Sequence, residues 1–235
     1  MPRTVIIDCF PESAERYRSG YAVVAIDVIR ASTTIATALS LGRRVFPVKT
    51  TDEAFILADK LHEPLLVGEI GGNVPYGFEM TNSPADIAER ADIARPMIFI
   101  SSSGTQLMLN AAGSEAVYAG CFRNFSAVAE RVALRHETVA VIGAGTRGQF
   151  RREDQMGCAL VAERLVELGY TPGSRQTEEA ILRWKGRDFS LIRSGKSAEY
   201  LKRTGQERDL EFVLSHIDDL QTTPQLIKNE FIGAV

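Results

Sequence analysis

The chain has 235 residues, 45% hydrophobic and 24% charged, with a net charge of −3 at pH 7. That length supports a large core as one domain or two small ones, and the acidic balance offers no basic field or aromatic-basic interleaving for nucleic acid. The N-terminal apolar run is too short for a signal peptide, and no later run nears the roughly 20 residues of a membrane span, so a cytoplasmic protein is expected.

In chain order, residues 4–8 read as a strand and 11–19 as a polar connection. The apolar run 21–26 reads as a second strand, ending on Asp27-Val28-Ile29-Arg30-Ala31-Ser32-Thr33-Thr34, which opens a helical run over 35–41 closed by Gly42. A short strand follows at 45–48, where Pro47 argues for an edge position or an early end. Thr50 to Glu53 form a capping box for a helix to about Leu61, with Ala54, Leu57, Ala58 and Leu61 on one face. The strand 65–67 runs into Gly68-Glu69. Residues 71–82, rich in Gly, Asn and Pro, read as a long loop over a site. Ser83 and Pro84 then supply the N-cap and first position of a helix.

The strand 97–100 feeds Ser101-Ser102-Ser103-Gly104-Thr105 before a helix at about 106–112. A strand at 116–119 precedes a helix capped by Asn124 and running to about Leu134. The strand 138–142 leads to Gly143-Ala144-Gly145-Thr146-Arg147-Gly148, and Glu153-Asp154 open a long helix ending at Gly169. Beyond Tyr170 the alternation weakens, with helical runs near 178–184, 198–202 and 208–216 and a last strand at 224–227. The expected fold class is α/β, one domain over 1–235 with a more helical carboxyl-terminal part from about 170. Cys9, Cys121 and Cys158 are too scattered for a disulfide framework or a zinc spacing and read as core residues. His62, His136 and His216 lie near helix ends, where an imidazole caps carbonyls.

Polar chemistry gathers at strand ends, where ligands bind in α/β sheets. Asp27, Glu69, Glu153 and Asp154 offer carboxylate oxygens to a hard cation such as Mg2+. Arg30, the Ser/Thr clusters and the helix-start amides offer contacts to an anion. A cation beside phosphate oxygens is a route to hydrolysis that needs no His nucleophile. The Gly143 to Gly148 run matches a dinucleotide fingerprint after a strand. Its third glycine, however, precedes Gln149-Phe150-Arg151-Arg152 rather than lying in a helix, and no acid ends a clear next strand about 20 residues on.

Taken together, the motifs resemble the 2-phosphosulfolactate phosphatase family. Asp27 to Thr34 resembles its D-V-[LI]-R-A-[ST]-[ST]-T opening, Gly68-Glu69 its G-E, and Gly77-Phe78 through Asn82-Ser83-Pro84 its G-F-D-x-x-N-S-P, with Glu79 standing where the family has Asp. Ser101 to Thr105 occupies the place of T-T-N-G-T, with Ser103 for Asn, and Ala144-Gly145-Thr146 with Glu153-Asp154 is similar to A-G-T…E-D. A looser likeness continues through Asp209-Leu210, Asp218 and Thr223-Pro224, so matches cover roughly residues 24 to 225.

The resemblance implies a family-specific three-layer α/β/α fold with a mixed, largely parallel sheet. It also implies a Mg2+-dependent phosphatase that hydrolyses 2-phospho-3-sulfolactate or a close analogue, the reaction that leads toward coenzyme M in archaea. Asp27, Arg30, Glu69 and Asp154 are the expected catalytic residues, and Asp27, Glu69, Glu153 and Asp154 the expected metal ligands. Arg30, Ser32, Thr33, Thr34, Asn82, Ser83, Ser102, Ser103, Gly104, Thr105, Gly145 and Thr146 are expected to hold phosphate or sulfonate. The expected partners are a small phosphorylated, sulfonated acid and a second copy of the chain in a homodimer. Two other readings stand beside this one: a non-catalytic anion-binding homologue, and a dinucleotide enzyme using Gly143 to Gly148.

Overall fold

Alternating residues of the central strands face two different apolar clusters, and this period-two division sets the architecture. The computed structural model describes residues 3–146 and 148–234, so Arg147 of the glycine-rich run lies outside the described residues. In strand β2 (Ala22–Ile26), Ala22, Val24 and Ile26 enter one core cluster, while Val23 and Ala25 enter the other. The first cluster is covered by α5 (Phe125–Ala133), α6 (Arg152–Glu167), α7 (Arg175–Trp184), α8 (Lys196–Arg203) and α9 (Glu207–Ser215). The second is filled mainly by α1 (Ala31–Ser40) and α4 (Gly104–Asn110), with Ile87 of α3 (Pro84–Glu89). A third, smaller cluster lies under α2 (Thr51–Ala58). The fold is thus three-layered, α/β/α.

The remaining strands are β1 (Thr4–Cys9), β3 (Val45–Pro47), β4 (Leu65–Gly68), β5 (Met97–Ile100), β6 (Ala116–Gly120), β7 (Thr138–Gly143), β8 (Thr171–Pro172), β9 (Thr223–Ile227) and β10 (Glu230–Ala234). Among the described residues they form one sheet in the order β4-β5-β3-β10-β9-β6-β2-β7-β1-β8. Two parallel blocks, β4-β5-β3 and β6-β2-β7-β1-β8, are joined by the antiparallel hairpin β9-β10, in which Phe231 pairs with Val45 on one side and Leu226 on the other. Strands of both blocks contribute to the core around α1 and α4. The sheet therefore curls about these two helices, bringing the ends of β5 and β2 together although four strands separate them in the sheet.

Several expectations are revised locally. Residues 11–19 are not a plain connection, because Pro11–Tyr17 form a 3-10 turn with Ala14 in the core. Helix α1 starts at Ala31, so Ser32, Thr33 and Thr34 lie in its first turn, and Arg30 stands at its N-cap. Pro47 ends β3 early but not at a sheet edge, since β3 lies between β5 and β10. Helix α4 begins at Gly104, two residues before the expected start. Asn124 sits at the N-cap of α5, yet its side chain turns backward to accept from the Cys121 amide at 2.9 Å. Thr50 and Ser83 cap as expected, accepting from the Glu53 and Asp86 amides at 3.1 Å each. Strand β10 was not legible in the periodicity at all.

Candidate active site

Register places the first two carboxylates side by side. Ile26 of β2 pairs with Gly143 of β7, and the Ala144 amide donates to the Ile26 carbonyl at 2.7 Å, so the turn after β2 lies against the loop after β7. Asp154, in the first turn of α6, stitches the two together. Its Oδ1 accepts from the Val28 amide at 2.9 Å and its Oδ2 from the Gly145 amide at 3.0 Å. Gly145 is bound in this way at φ +58°, and a Cβ there would stand 2.9 Å from the Gln149 carbonyl oxygen.

Asp27 is buried beside it. Its Oδ1 accepts from the Ala31 amide at 3.3 Å, and its Oδ2 faces Gly104, where an added Cβ would come within 2.5 Å of that oxygen. A residue from the β5–α4 corner thus closes on a carboxylate from the β2–α1 corner. Burial, with Glu69 and Glu153 adding negative charge, pushes the Asp27 carboxyl up to about 7. Burial also drives Asp154 well above the usual carboxylate range, helped by Asp27 and Glu153, and it raises Glu153 too.

Glu153 is 1% exposed, and among the described residues neither of its carboxylate oxygens has a hydrogen-bond partner. Ser197 faces it without reaching hydrogen-bond geometry. Glu69 is held differently: Oε1 accepts from the Ser102 amide at 2.7 Å, while Oε2 accepts from the Ser102 hydroxyl at 2.9 Å and the Gly72 amide at 2.7 Å. Among the described residues, no three His, Cys, Asp or Glu side chains are already arranged around one ion position. The donor set nonetheless fits a hard divalent cation: it is all oxygen, Asp27, Glu153 and Asp154 are buried, burial and mutual repulsion raise the Asp27 and Asp154 carboxyls, and among the described residues the Glu153 oxygens have no donor.

Arg30 does not pair with Asp27. Nη1 donates to Gln206 Oε1 at 2.6 Å and to Asp209 Oδ2 at 2.5 Å, and Nη2 donates to Thr81 Oγ1 at 3.1 Å. Asp209 also accepts from the Ser83 hydroxyl at 2.5 Å. This ion pair is buried on both sides and fixes the guanidinium at the edge of the carboxylate group.

The sequence profile of the 2-phosphosulpholactate phosphatase family matches residues 9–229. The chain belongs to this family. It is 33% identical over 210 residues to a probable 2-phosphosulfolactate phosphatase of Thermotoga petrophila, covering 89% of this chain and 90% of that one. A probable 2-phosphosulfolactate phosphatase of Carboxydothermus hydrogenoformans is 33% identical over 201 residues, covering 81% and 80% of the two chains. One from Trichormus variabilis is 28% identical over 226 residues, covering 91% and 92%. The chain is accordingly a phosphatase, a phosphoric monoester hydrolase. Among its described residues, no helix is long and apolar enough to cross a membrane.

In this phosphatase the hydroxyls after Asp27 turn inward. The Ser32 hydroxyl donates to the Asp27 carbonyl at 2.7 Å, Thr33 to the Val28 carbonyl at 2.8 Å, and Thr34 to the Asn82 and Arg30 carbonyls at 2.8 and 3.0 Å. They lock the turn that presents Asp27. Thr105 behaves similarly, donating to the Ser101 carbonyl at 2.8 Å while its amide donates to the Ser101 hydroxyl at 2.9 Å. Ser103 is half-buried at the N-cap of α4, where its side chain makes no capping bond, and Ser102 is exposed beside Glu69. Asn82 is buried and accepts from the Thr81 hydroxyl at 3.2 Å, and half-buried Thr146 exchanges backbone bonds with Gln149.

Reading by motif overlooked the role of Asp209, Gln206, Thr81 and Tyr200. Tyr200 donates to the Gly72 carbonyl at 2.7 Å, tying α8 to the loop over the site. One signal was available: Asp209 lies beside Leu210 and Val213 on the buried face of an amphipathic helix, where an acid needs a partner.

Proposed function

We propose that this phosphatase hydrolyses the phosphate monoester of a small anionic acid, 2-phospho-3-sulfolactate or a close analogue, with Mg2+ as its cofactor. The observation that carries the reading is the set of buried carboxylates at the carboxyl ends of β2 and β7, in which both Glu153 oxygens lack a donor among the described residues. Asp27 and Asp154 hold the cation, with Glu69 and Glu153 completing its oxygen donors. When bound, Mg2+ supplies positive charge to the phosphate oxygens and acidifies a bound water.

The rest is the work of this chain. The Ala31 amide orients the Asp27 carboxylate, and the glycine at 104 leaves room for its Oδ2, which a Cβ there would crowd. Arg30, fixed by Asp209, Gln206 and Thr81, presents a rigid positive group toward the substrate's anionic end. Ser103, the Asn82 side-chain amide and the Gly104 amide at the start of α4 hold the phosphate and sulfonate, while Ser102 positions Glu69 and the Gly145 and Thr146 amides are taken by Asp154 and Gln149. Hydroxyls of Ser32, Thr33 and Thr34 act by rigidifying the turn rather than by touching the anion.

Phosphate release from 2-phospho-3-sulfolactate tests the reading. Release that needs Mg2+, stops with chelator and falls at least about a thousandfold in Asp27→Asn, with unchanged circular dichroism, is expected. Full activity of Asp27→Asn in chelator would overturn it.

A further inference from the structure

A second cleft opens on the far side of the first turn of α6, with a volume of about 440 Å³. Clefts of roughly 300 to 1,000 Å³ are the size that encloses small organic ligands. Phe150, Trp184 and Leu191 supply its apolar wall, and Arg152, Arg183 and Arg187 supply its charge. Phe150 and Leu191 are 46% and 42% exposed, so the apolar wall is open to an occupant. Phe150 is braced by an edge-on contact with Phe10, at 6.4 Å between centroids. Trp184 is 7% exposed, and among the described residues its indole N–H has no acceptor.

Among the described residues Arg183 and Arg187 make no ion pair, and Arg152 acts on the adjacent Glu153 only through space. Arg152 donates to the Leu191 carbonyl at 3.4 Å and the Ser194 hydroxyl at 3.0 Å, and Arg187 donates to the Arg183 carbonyl at 3.3 Å. Among the described residues no carboxylate lies within ion-pair distance of any of the three, and Glu179 of the same helix is turned to Arg175 instead. The two unpaired guanidinium groups of Arg183 and Arg187, with Arg152 beside them, make a local positive field in a chain of net charge −3. Guanidinium forks match phosphate and carboxylate oxygens bidentately and also stack on aromatic rings.

We propose that this cleft is a second ligand site, distinct from the carboxylate site, that takes a small organic phosphate or phosphonate with an aromatic body. The ring lies against Phe150, Trp184 and Leu191, and the anionic group meets Arg183 and Arg187. The two sites share one turn of helix, because Arg152 lines the cleft and the next two residues are Glu153 and Asp154. This proposal does not depend on which acid the phosphatase hydrolyses.

Trp184 is the single tryptophan of the chain, so its fluorescence reports on this cleft directly. The probe is phenylphosphonate, whose carbon–phosphorus bond resists hydrolysis, with methylphosphonate as the ring-free control. Saturable change of the Trp184 emission by phenylphosphonate is expected, at least about tenfold weaker for methylphosphonate and weakened by rising salt. The exposed double variant Arg183→Ala, Arg187→Ala should lose at least about tenfold in phenylphosphonate affinity while keeping its rate of phosphate release. Absence of any Trp184 response at millimolar phenylphosphonate, or equal affinity in the double variant, would overturn the proposal.

Discussion

At the scale of single residues, the site is defined by charge placed where water is absent. Asp27, Glu153 and Asp154 are all buried, and the nearby buried Arg30 is already paired with Asp209. Folding therefore concentrates negative charge that only protons or a cation can relieve. The sign of the pH dependence follows. An unfolded aspartate titrates near 3.9, whereas burial raises Asp27 to about 7 in the folded chain, with Glu153 and Asp154 shifted in the same direction. Between those values the folded state binds more protons, so stability without the cation falls as pH rises toward about 7. In chelator, the melting temperature should be higher at about pH 5.5 than at about pH 8, by the equivalent of a few kcal/mol, and Asp27→Asn should flatten the trend. Thermal unfolding with and without Mg2+ checks this, and the cation should stabilise more at the higher pH. A melting temperature that climbs with pH in chelator would contradict it. The carboxylates themselves were legible, because acids after apolar strands stand out. The inward turn of Ser32, Thr33 and Thr34 was not, since a hydroxyl in a first helical turn serves a carbonyl or an anion equally well until its neighbours are known.

At the scale of elements, the carboxyl-terminal helices are part of the site wall. Helix α9 delivers Asp209 to Arg30 at the start of α1 and to Ser83 at the start of α3, so one buried acid couples three helices. Removing it leaves a buried guanidinium unpaired, which costs about 3–5 kcal/mol. Asp209→Ala should lose stability of that order in urea unfolding and also lower kcat/KM through Arg30, while Asp209→Asn should recover part of the stability. A neutral effect of Asp209→Ala on both would show that the contact is incidental. Helix starts were the best-read feature, because Thr50 and Ser83 cap through local chemistry that depends on a few neighbouring residues. Asn124 broke that pattern because its amide was claimed by the Cys121 amide and the Ala119 and Thr222 carbonyls, partners set by the sheet.

At the scale of the whole molecule, the hairpin β9-β10 decides the architecture. It fills the gap between two parallel blocks and lets the sheet curl around α1 and α4, which is what carries Gly104 to Asp27. Phe231 sits at that junction, 1% exposed and paired across to both Val45 and Leu226. Phe231→Ala should cost about 3–5 kcal/mol. It should also weaken phosphatase activity more than an equally destabilising change under α2, and denaturant midpoints with activity assays compare the two. Unaltered stability of Phe231→Ala would mean that the blocks hold together without it. The sequence by itself determined the α/β class, most strand cores, the capped helix starts and the acids at strand ends, because each rests on period, capping chemistry or turn residues within a few positions. The tertiary structure alone decided that β10 lies inside the sheet, that β5 meets β2 across four intervening strands, and that Asp209 holds Arg30. Those outcomes depend on which distant surfaces bury one another, and an apolar or acidic residue carries no local mark of the partner it will meet.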